Sequence, residues 1–90
     1  MLYKTITEDT LVSNQECFLM GVELANSSNT DLITYAEAST SATAANKVNT
    51  LSVTAYKRHS KIMFPYPGIK VPGIYVDWTA GVGTVYYRYK

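Results

Sequence analysis

Apolar and polar residues alternate with a period of two along most of the chain, and helical periodicity is scarce. Successive side chains of a strand point to opposite faces, so this period indicates β-strands. The pattern predicts about seven short strands, over residues 2–7, 17–25, 32–38, 48–56, 61–64, 74–78 and 84–89. Such strands, separated by frequent turns, indicate an all-β fold: one small antiparallel β-sandwich or barrel-like domain over residues 1–90.

The alternation also predicts faces and connections. In the second strand it places Phe18, Met20, Val22 and Leu24 on one face and Cys17, Leu19, Gly21, Glu23 and Ala25 on the other. In the fourth it aligns Leu51, Val53 and Ala55. The last two strands are expected to form a hairpin, because residues 79–83 carry the glycines of a tight reversal. For residues 39–46, alanine content favours a helical turn and Ser/Thr density a loop; we favour the loop.

Residues 64–78, FPYPGIKVPGIYVDW, concentrate all three prolines of the chain. A proline keeps the preceding residue extended, and glycine then lets the chain turn where other residues cannot. We expect a stiff corner that carries the chain from one sheet to the next, with Pro72-Gly73 in the centre of a type II turn. A proline-rich peptide ligand is the weaker interpretation, since the PxxP spacing is absent and a strand follows directly.

Composition excludes several classes of function. A net charge of +1 provides no field that would gather nucleic acid or anionic lipid, so neither partner is expected. The single cysteine, Cys17, excludes an internal disulfide framework and lies in an apolar run that indicates a buried, inert thiol. Residues 1–10 contain no apolar segment typical of a signal peptide, so we expect synthesis in a cytoplasm.

Candidate chemistry is sparse. The carboxylates are dispersed, and the only histidine, His59, lies in the basic run Lys57–Lys61. That run could contact phosphates, but a solvated hairpin end is the preferred interpretation, because no aromatic platform is interleaved with it. A Cys17–His59 pair is the one conceivable nucleophile and base, and nothing in the spacing supports it. We therefore expect no catalytic residues, no metal ligands and no cofactor.

The C-terminal third resembles a pattern in small β-sandwich structural proteins of tailed bacteriophages. Its elements here are Phe64-Pro65-Tyr66-Pro67, Gly73-Ile74-Tyr75-Val76, Gly81 and Val85-Tyr86-Tyr87. The strand Leu32–Tyr35, followed by a loop rich in Ala, Ser and Thr, extends the resemblance to about residues 20–88. The resemblance implies a non-enzymatic virion component: a capsid decoration (cement) protein, or a tail-associated or fibre module.

This resemblance also implies partners. A decoration protein binds itself as a homo-oligomer, for which shell symmetry favours a trimer, and binds the major capsid protein or another virion protein. It is synthesised in the host cytoplasm and resides in the virion. The alternative function is a carbohydrate- or receptor-binding module of a tail or fibre, which would use Tyr66, Tyr75 and Trp78. Against it, Trp78 shares a strand face with Ile74 and Val76, which predicts a core position.

The closing strand supplies the candidate interface. Val85, Tyr87 and Tyr89 should face inward, so Tyr86 and Arg88 face outward, as an aromatic–arginine pair of the kind enriched at interfaces. Tyr66 and Tyr3 join the candidate set, because a core this small cannot hold all eight tyrosines. The alternative is an ordinary strand whose tyrosine covers its neighbours. We expect truncation of Tyr86 and Arg88 to leave folding stability nearly unchanged, and Tyr87→Ala to cost roughly 3 kcal/mol or more.

Overall fold

The computed structural model describes residues 1–89, which form nine β-strands in two antiparallel sheets. The strands are β1 Leu2–Ile6, β2 Thr10–Ser13, β3 Cys17–Ala25, β4 Thr30–Tyr35, β5 Lys47–Val53, β6 His59–Met63, β7 Ile69–Val71, β8 Ile74–Trp78 and β9 Val82–Arg88. The predicted all-β sandwich is confirmed. Two short strands, β2 and β7, were not predicted, so the described chain has nine strands rather than about seven.

The two sheets pack their apolar faces against each other. In the five-stranded sheet the order is β1-β9-β3, and β6 and β7 both pair with the far side of β3. In the four-stranded sheet the order is β2-β8-β4-β5. Fully buried aliphatic side chains from both sheets fill the space between them: Ile6, Leu19, Val22, Leu24, Leu32, Ile74, Val76 and Val85. Removal of this apolar surface from water is the main stabilising contribution.

A β-bulge in β3 breaks the predicted alternation. Leu19 lies opposite Tyr87 and Gly21 opposite Tyr86, so Met20 is an extra residue without a partner in β9. The strand therefore buries Cys17 and Leu19 before the bulge and Val22 and Leu24 after it. The predicted division of this strand into two strict faces is wrong, because the bulge shifts the period by one residue.

The predicted terminal hairpin is also wrong. Strand β8 pairs with β2 and β4 in the four-stranded sheet, whereas β9 pairs with β1 and β3 in the five-stranded sheet. Both sides of β8 are thus occupied, and the chain crosses between the sheets after Trp78. The Trp78 indole Nε1 donates a hydrogen bond to the Gly81 carbonyl oxygen at 2.9 Å, which fixes this crossing.

The proline-rich stretch divides into two parts. Strands β6 and β7 flank Phe64–Gly68 and pair with the same side of β3, so this segment leaves the five-stranded sheet and returns to it. Its backbone is held by two hydrogen bonds of 2.8 Å, from Phe64 N to Met20 O and from Gly68 N to Pro65 O. The Tyr66–Pro67 peptide bond is cis, and Gly68 has φ +90°. We call residues 64–68 the proline corner.

Within residues 64–78 the chain changes sheet at Pro72-Gly73, between β7 and β8. A type II turn would need a positive φ at Gly73, and Gly73 does not have one. Glycine is required there by space instead: a Cβ atom would lie 2.5 Å from Ala38 Cα and 2.7 Å from Ser13 O.

The remaining boundaries differ slightly from the predictions. Strand β4 ends at Tyr35, and residues 39–46 form a loop that finishes in a single 3₁₀ turn, Ala44–Asn46. Strand β5 ends at Val53, so Ala55 is exposed in the following loop instead of aligned with Leu51.

The strand edges of the sandwich are poorly suited to pairing with another strand. At the β1 edge, Lys4 lies opposite the buried Val85 and thus on the inner side of the sheet, where strand addition would bury its charge. Strand β2 has four residues and an irregular register between Leu11 and Ser13. On the other side of the sandwich, β5 lies beside β6 and the two sheets approach each other. Association through a sheet face is therefore more favourable than association through an edge.

Candidate functional site

The four predicted interface residues lie together on the outer face of the five-stranded sheet. Tyr3 on β1 is directly opposite Tyr86 on β9, and Arg88 is two residues further along the same side of β9. The Arg88 guanidinium carbon lies 4.8 Å from the centre of the Tyr66 ring. Phe18, opposite Arg88 on β3, completes the group. We call Tyr3, Phe18, Tyr66, Tyr86 and Arg88 the aromatic face.

Two members of the aromatic face are largely in solvent: Tyr3 is 70% exposed and Tyr66 is 80% exposed. Tyr86, Arg88 and Phe18 are half-buried between them. Tyrosine and arginine carry a large share of the binding energy at protein interfaces, because they combine wide contact area with polar groups. The arrangement is an amphipathic surface with the residue composition typical of protein interfaces.

Arg88 connects the sheet to the proline corner. Its guanidinium lies between the rings of Phe18, at 4.2 Å, and Tyr66, at 4.8 Å. Its Nε and Nη2 atoms donate hydrogen bonds to the Pro67 carbonyl oxygen at 3.3 and 3.0 Å. The side chain thus positions Tyr66, a role that sequence analysis missed because Pro67 is 21 residues away in the chain.

Tyr86 belongs to a polar network on the same face. Its hydroxyl donates a hydrogen bond to Glu23 Oε1 at 2.9 Å, and His59 Nε2 contacts Glu23 Oε2. The Lys61 ammonium lies 5.6 Å from the centre of the Tyr86 ring. The hydrogen bonds from His59 and then from Tyr86 lower the pKa of Glu23 below its usual value. The bond to Glu23 raises the pKa of Tyr86, with a smaller effect of desolvation.

Glu23 and Phe18 are the residues of this site that sequence analysis missed. Glu23 contacts His59 and Tyr86, which are 36 and 63 residues away in the chain. The only sequence signal was a charged residue, Glu23, within an apolar strand, which does not identify a partner.

The inward residues of β9 follow the prediction in part. Val85 is fully buried and Tyr87 packs against the core. Tyr89 lies just beyond the end of the strand and is 38% exposed. Its hydroxyl is 3.0 Å from Ser13 Oγ, and its ring stands edge-on to Tyr87 with centres 5.8 Å apart. Both contacts lie on the inner side of the sheet, so Tyr89 has the predicted side but sits at the rim, where it is partly exposed instead of buried.

The aromatics that a glycan would need are not brought together. Tyr66 lies on the outer face of the five-stranded sheet, whereas Tyr75 is buried beside Tyr35 in the four-stranded sheet, with ring centres 6.3 Å apart. Trp78 packs against the core together with Ile74 and Val76, so its predicted core position is confirmed.

The conceivable Cys17–His59 pair is not assembled. Cys17 is buried at one end of β3, where burial raises the pKa of its thiol, and His59 lies opposite Ala25 at the other end. The two positions are separated by roughly 26 Å along the strand.

Other features of residues 1–89 provide little chemistry. No three His, Cys, Asp or Glu residues in this range form a group that could hold a metal ion. An open cavity of about 280 Å³ lies beside β1 and is lined by Lys4, Thr5, Thr7, Glu8 and Thr10. No helix in the described part of the chain is long and apolar enough to cross a membrane.

Comparison of the chain with protein-family models, with curated proteins and with solved structures finds no match in any of the three. The fold and the surface define the class of protein: a small all-β sandwich with an exposed aromatic and cationic sheet face.

Proposed function

We propose that this chain is a non-enzymatic structural protein of a tailed-bacteriophage virion. In this proposal it is a capsid decoration (cement) protein, synthesised in the host cytoplasm, that binds the assembled capsid lattice as a homo-oligomer. It requires no cofactor and recognises neither nucleic acid nor membrane. Two arguments support the proposal: the resemblance of residues 20–88 to small phage structural proteins, and the aromatic face.

The aromatic face carries the proposal. Tyr3 and Tyr66 expose most of their surface to water, although neither is needed to fill the core. Arg88 holds Tyr66 in place in the free subunit, so little side-chain freedom remains to be lost on binding. A pre-organised cluster of tyrosines around an arginine is the composition expected of a protein interface.

The proposed mechanism is linkage by mass action. A subunit that binds only the assembled lattice stabilises that lattice by about 2.7 kcal/mol per site when its free concentration is about 100 times Kd. A closed oligomer, with a trimer expected from the symmetry of a shell, would place several aromatic faces on the lattice at once. Multivalent attachment raises the total affinity without any new type of contact.

Native mass spectrometry of the free protein, followed by co-sedimentation with capsid shells assembled from the major capsid protein of the same genome, tests the proposal. We expect an oligomer in solution and saturable addition to shells. A strict monomer that does not sediment with shells would refute it.

Charge substitutions on opposite faces test the surface itself. Tyr3→Glu and Tyr66→Glu should weaken oligomerisation or shell binding at least about tenfold, because each places a carboxylate in a desolvated contact. The matched control is Thr50→Glu, which adds the same charge at an exposed position of the four-stranded sheet. An equal loss in the control would show that the aromatic face is not the contact surface.

The alternative carbohydrate- or receptor-binding function receives no specific support. Of its three aromatics, only Tyr66 is exposed, and Arg88 already covers one side of that ring.

A further inference from the structure

The loop that joins β5 to β6, residues 54–58, is unusually well fixed for an exposed connection. The Thr54 hydroxyl accepts hydrogen bonds from the backbone N–H groups of Tyr56, at 3.2 Å, and Lys57, at 3.0 Å. Thr54 N in turn donates to Lys57 O at 2.8 Å. One side chain thus satisfies the backbone donors that would otherwise leave this turn free to change shape.

The loop is also tied to the neighbouring turn between β3 and β4. Asn26 N donates to Arg58 O at 3.0 Å, and Ala55 N donates to Asn29 Oδ1 at 3.2 Å. Within the loop, Arg58 Nε donates to Ala55 O at 3.2 Å. Hydrogen bonds therefore hold both ends of the loop on the body of the protein.

At the centre of this fixed loop, Tyr56 is entirely exposed, at 101% of its reference surface. The fold gains no packing from the side chain, and its ring is presented on an ordered backbone. A rigid tyrosine is an effective binding group, because its two side-chain torsions cost little entropy when they are fixed.

The positive charge of the molecule is concentrated beside Tyr56. Lys57, Arg58 and Lys61 lie within five residues, together with His59. The remaining chain has five Lys and Arg against seven Asp and Glu, a net charge of −2. Glu23 is the one carboxylate within salt-bridge distance of this cluster in the described chain, and it contacts His59. This end of the sandwich is thus a positive site on a negative body.

We propose that this tip, Tyr56 with Lys57, Arg58 and His59, is a second binding site, and that it recognises a compact, carboxylate-rich segment of a partner protein. Carboxylates complement its charge, and Tyr56 supplies apolar contact between them. An acidic protein segment is favoured over nucleic acid, because an extended polyanion would run from the tip onto a body of net charge −2. The tip shares none of the five residues of the aromatic face and meets it only through the contact between His59 and Glu23, so this inference goes beyond the function proposed above.

Amide chemical shifts of the labelled protein, titrated with an octaglutamate peptide, provide the test. We expect saturable shifts confined to residues 54–59, and weaker binding as salt is raised. Tyr56→Ala and Lys57→Gln should each weaken binding about threefold or more. Both side chains are exposed, so neither change should unfold the protein. Lys47→Gln, an exposed lysine at the start of β5, is the matched control and should change nothing.

Variants of Thr54 test whether its hydroxyl positions the loop that presents Tyr56. Thr54→Ala should weaken peptide binding and move the amide shifts of the loop toward random-coil values, whereas Thr54→Ser keeps the hydroxyl and should retain both the binding and the shifts of the parent protein. Three results would overturn the inference: no saturable shifts at the tip, an equal loss in Lys47→Gln, or tighter binding of octathymidylate DNA or of phosphatidylserine vesicles than of octaglutamate. Because no capsid shells are used, failure here is distinct from failure of the decoration function.

Discussion

Arg88→Ala should destabilise the protein, although Arg88 lies on the surface. The guanidinium contacts two rings and donates two hydrogen bonds to Pro67 O, so it holds the proline corner against β3 and β9. Removal of the side chain loosens the Tyr66–Pro67 part of the corner, which Phe64 N and the flanking strands do not hold, and exposes one side of Phe18. This expectation replaces the one drawn from the sequence, in which Arg88 contributes to binding and little to stability.

The magnitude follows from the contacts. Each cation–π contact at a partly exposed site contributes roughly 0.5–1 kcal/mol. The hydrogen bonds share one acceptor and are partly solvated, so together they add about 1 kcal/mol. Contacts of one side chain are not strictly additive, and a loss of about 2 kcal/mol in the free energy of unfolding is expected. For a domain of this size, that corresponds to a Tm lower by roughly 8–16 °C.

Urea denaturation and thermal melts followed by circular dichroism measure the loss, and hydrogen exchange of the Gly68 amide locates it. Arg88→Lys, which keeps the charge without the planar fork, should lose about half as much. Lys70→Ala is the control, because its ion pair with Glu16 is exposed on both sides and should be worth less than about 0.5 kcal/mol. If Arg88→Ala stays within about 0.5 kcal/mol of the parent protein, Arg88 does not hold the corner.

Three further changes have defined outcomes. Tyr87→Ala should lower the free energy of unfolding by about 2–3 kcal/mol, because Tyr87 is half-buried against the core. Urea titrations measure this loss, and a change below about 1 kcal/mol would contradict the packing. Hydrogen bonds lower the folded-state pKa of Glu23, so its contribution to stability is present above its unfolded pKa of about 4.3 and is lost as pH falls through the folded value. The stability difference between the parent and Glu23→Gln should therefore shrink on acidification, and a constant difference would refute the argument. Burial, and then Asp9, raise the pKa of Asp77, so the ionised carboxylate is less stable in the folded state than in the unfolded state. Asp77→Asn removes this charge and should raise Tm at pH 7. The gain should disappear as pH falls through the folded pKa, because the parent carboxyl is then protonated.

The part of the fold that sequence could predict depends on local alternation. Val85 and Tyr86 were assigned to the correct sides of β9, because neighbouring side chains of an unbroken strand must point in opposite directions. The same reasoning failed in β3, because a bulge arises where one strand has an extra residue relative to its neighbour, and the sequence of one strand does not show this. Leu19 and Gly21 pair with Tyr87 and Tyr86, which are adjacent in β9, and nothing in the sequence around Met20 indicates this.

Connections were harder to predict than strands. Gly81-Val82-Gly83 has the composition of a hairpin turn, yet β8 and β9 belong to different sheets, because β2 and β4 already pair with both sides of β8. Strand β2 was missed since Thr10–Ser13 is short and begins and ends with hydroxyl residues that also favour turns.

The candidate site shows the same limit. Strand phase was sufficient to select Tyr86 and Arg88, and the number of tyrosines in so small a domain was sufficient to add Tyr3 and Tyr66. Their contacts were not predictable, since Arg88 meets Pro67 and Tyr86 meets Glu23 only after β3, β9 and the proline corner have come together.

The bulge at Met20 links the core to this surface. Its carbonyl oxygen accepts a hydrogen bond from Phe64 N, so the proline corner begins where the regular pairing of β3 is interrupted. Gly68 ends the corner so close to the bulge that a Cβ atom there would lie 2.7 Å from Met20 Sδ. Arg88 then holds the corner at Pro67 and Tyr66, and Tyr66 keeps its exposed position beside it. Binding at Tyr66 therefore depends on core geometry, whereas Tyr56 is fully exposed and can be substituted without a cost to packing. Loss of binding at Tyr56 can thus be measured without loss of folding stability, but loss of binding at Tyr66 must be separated from any change in the core.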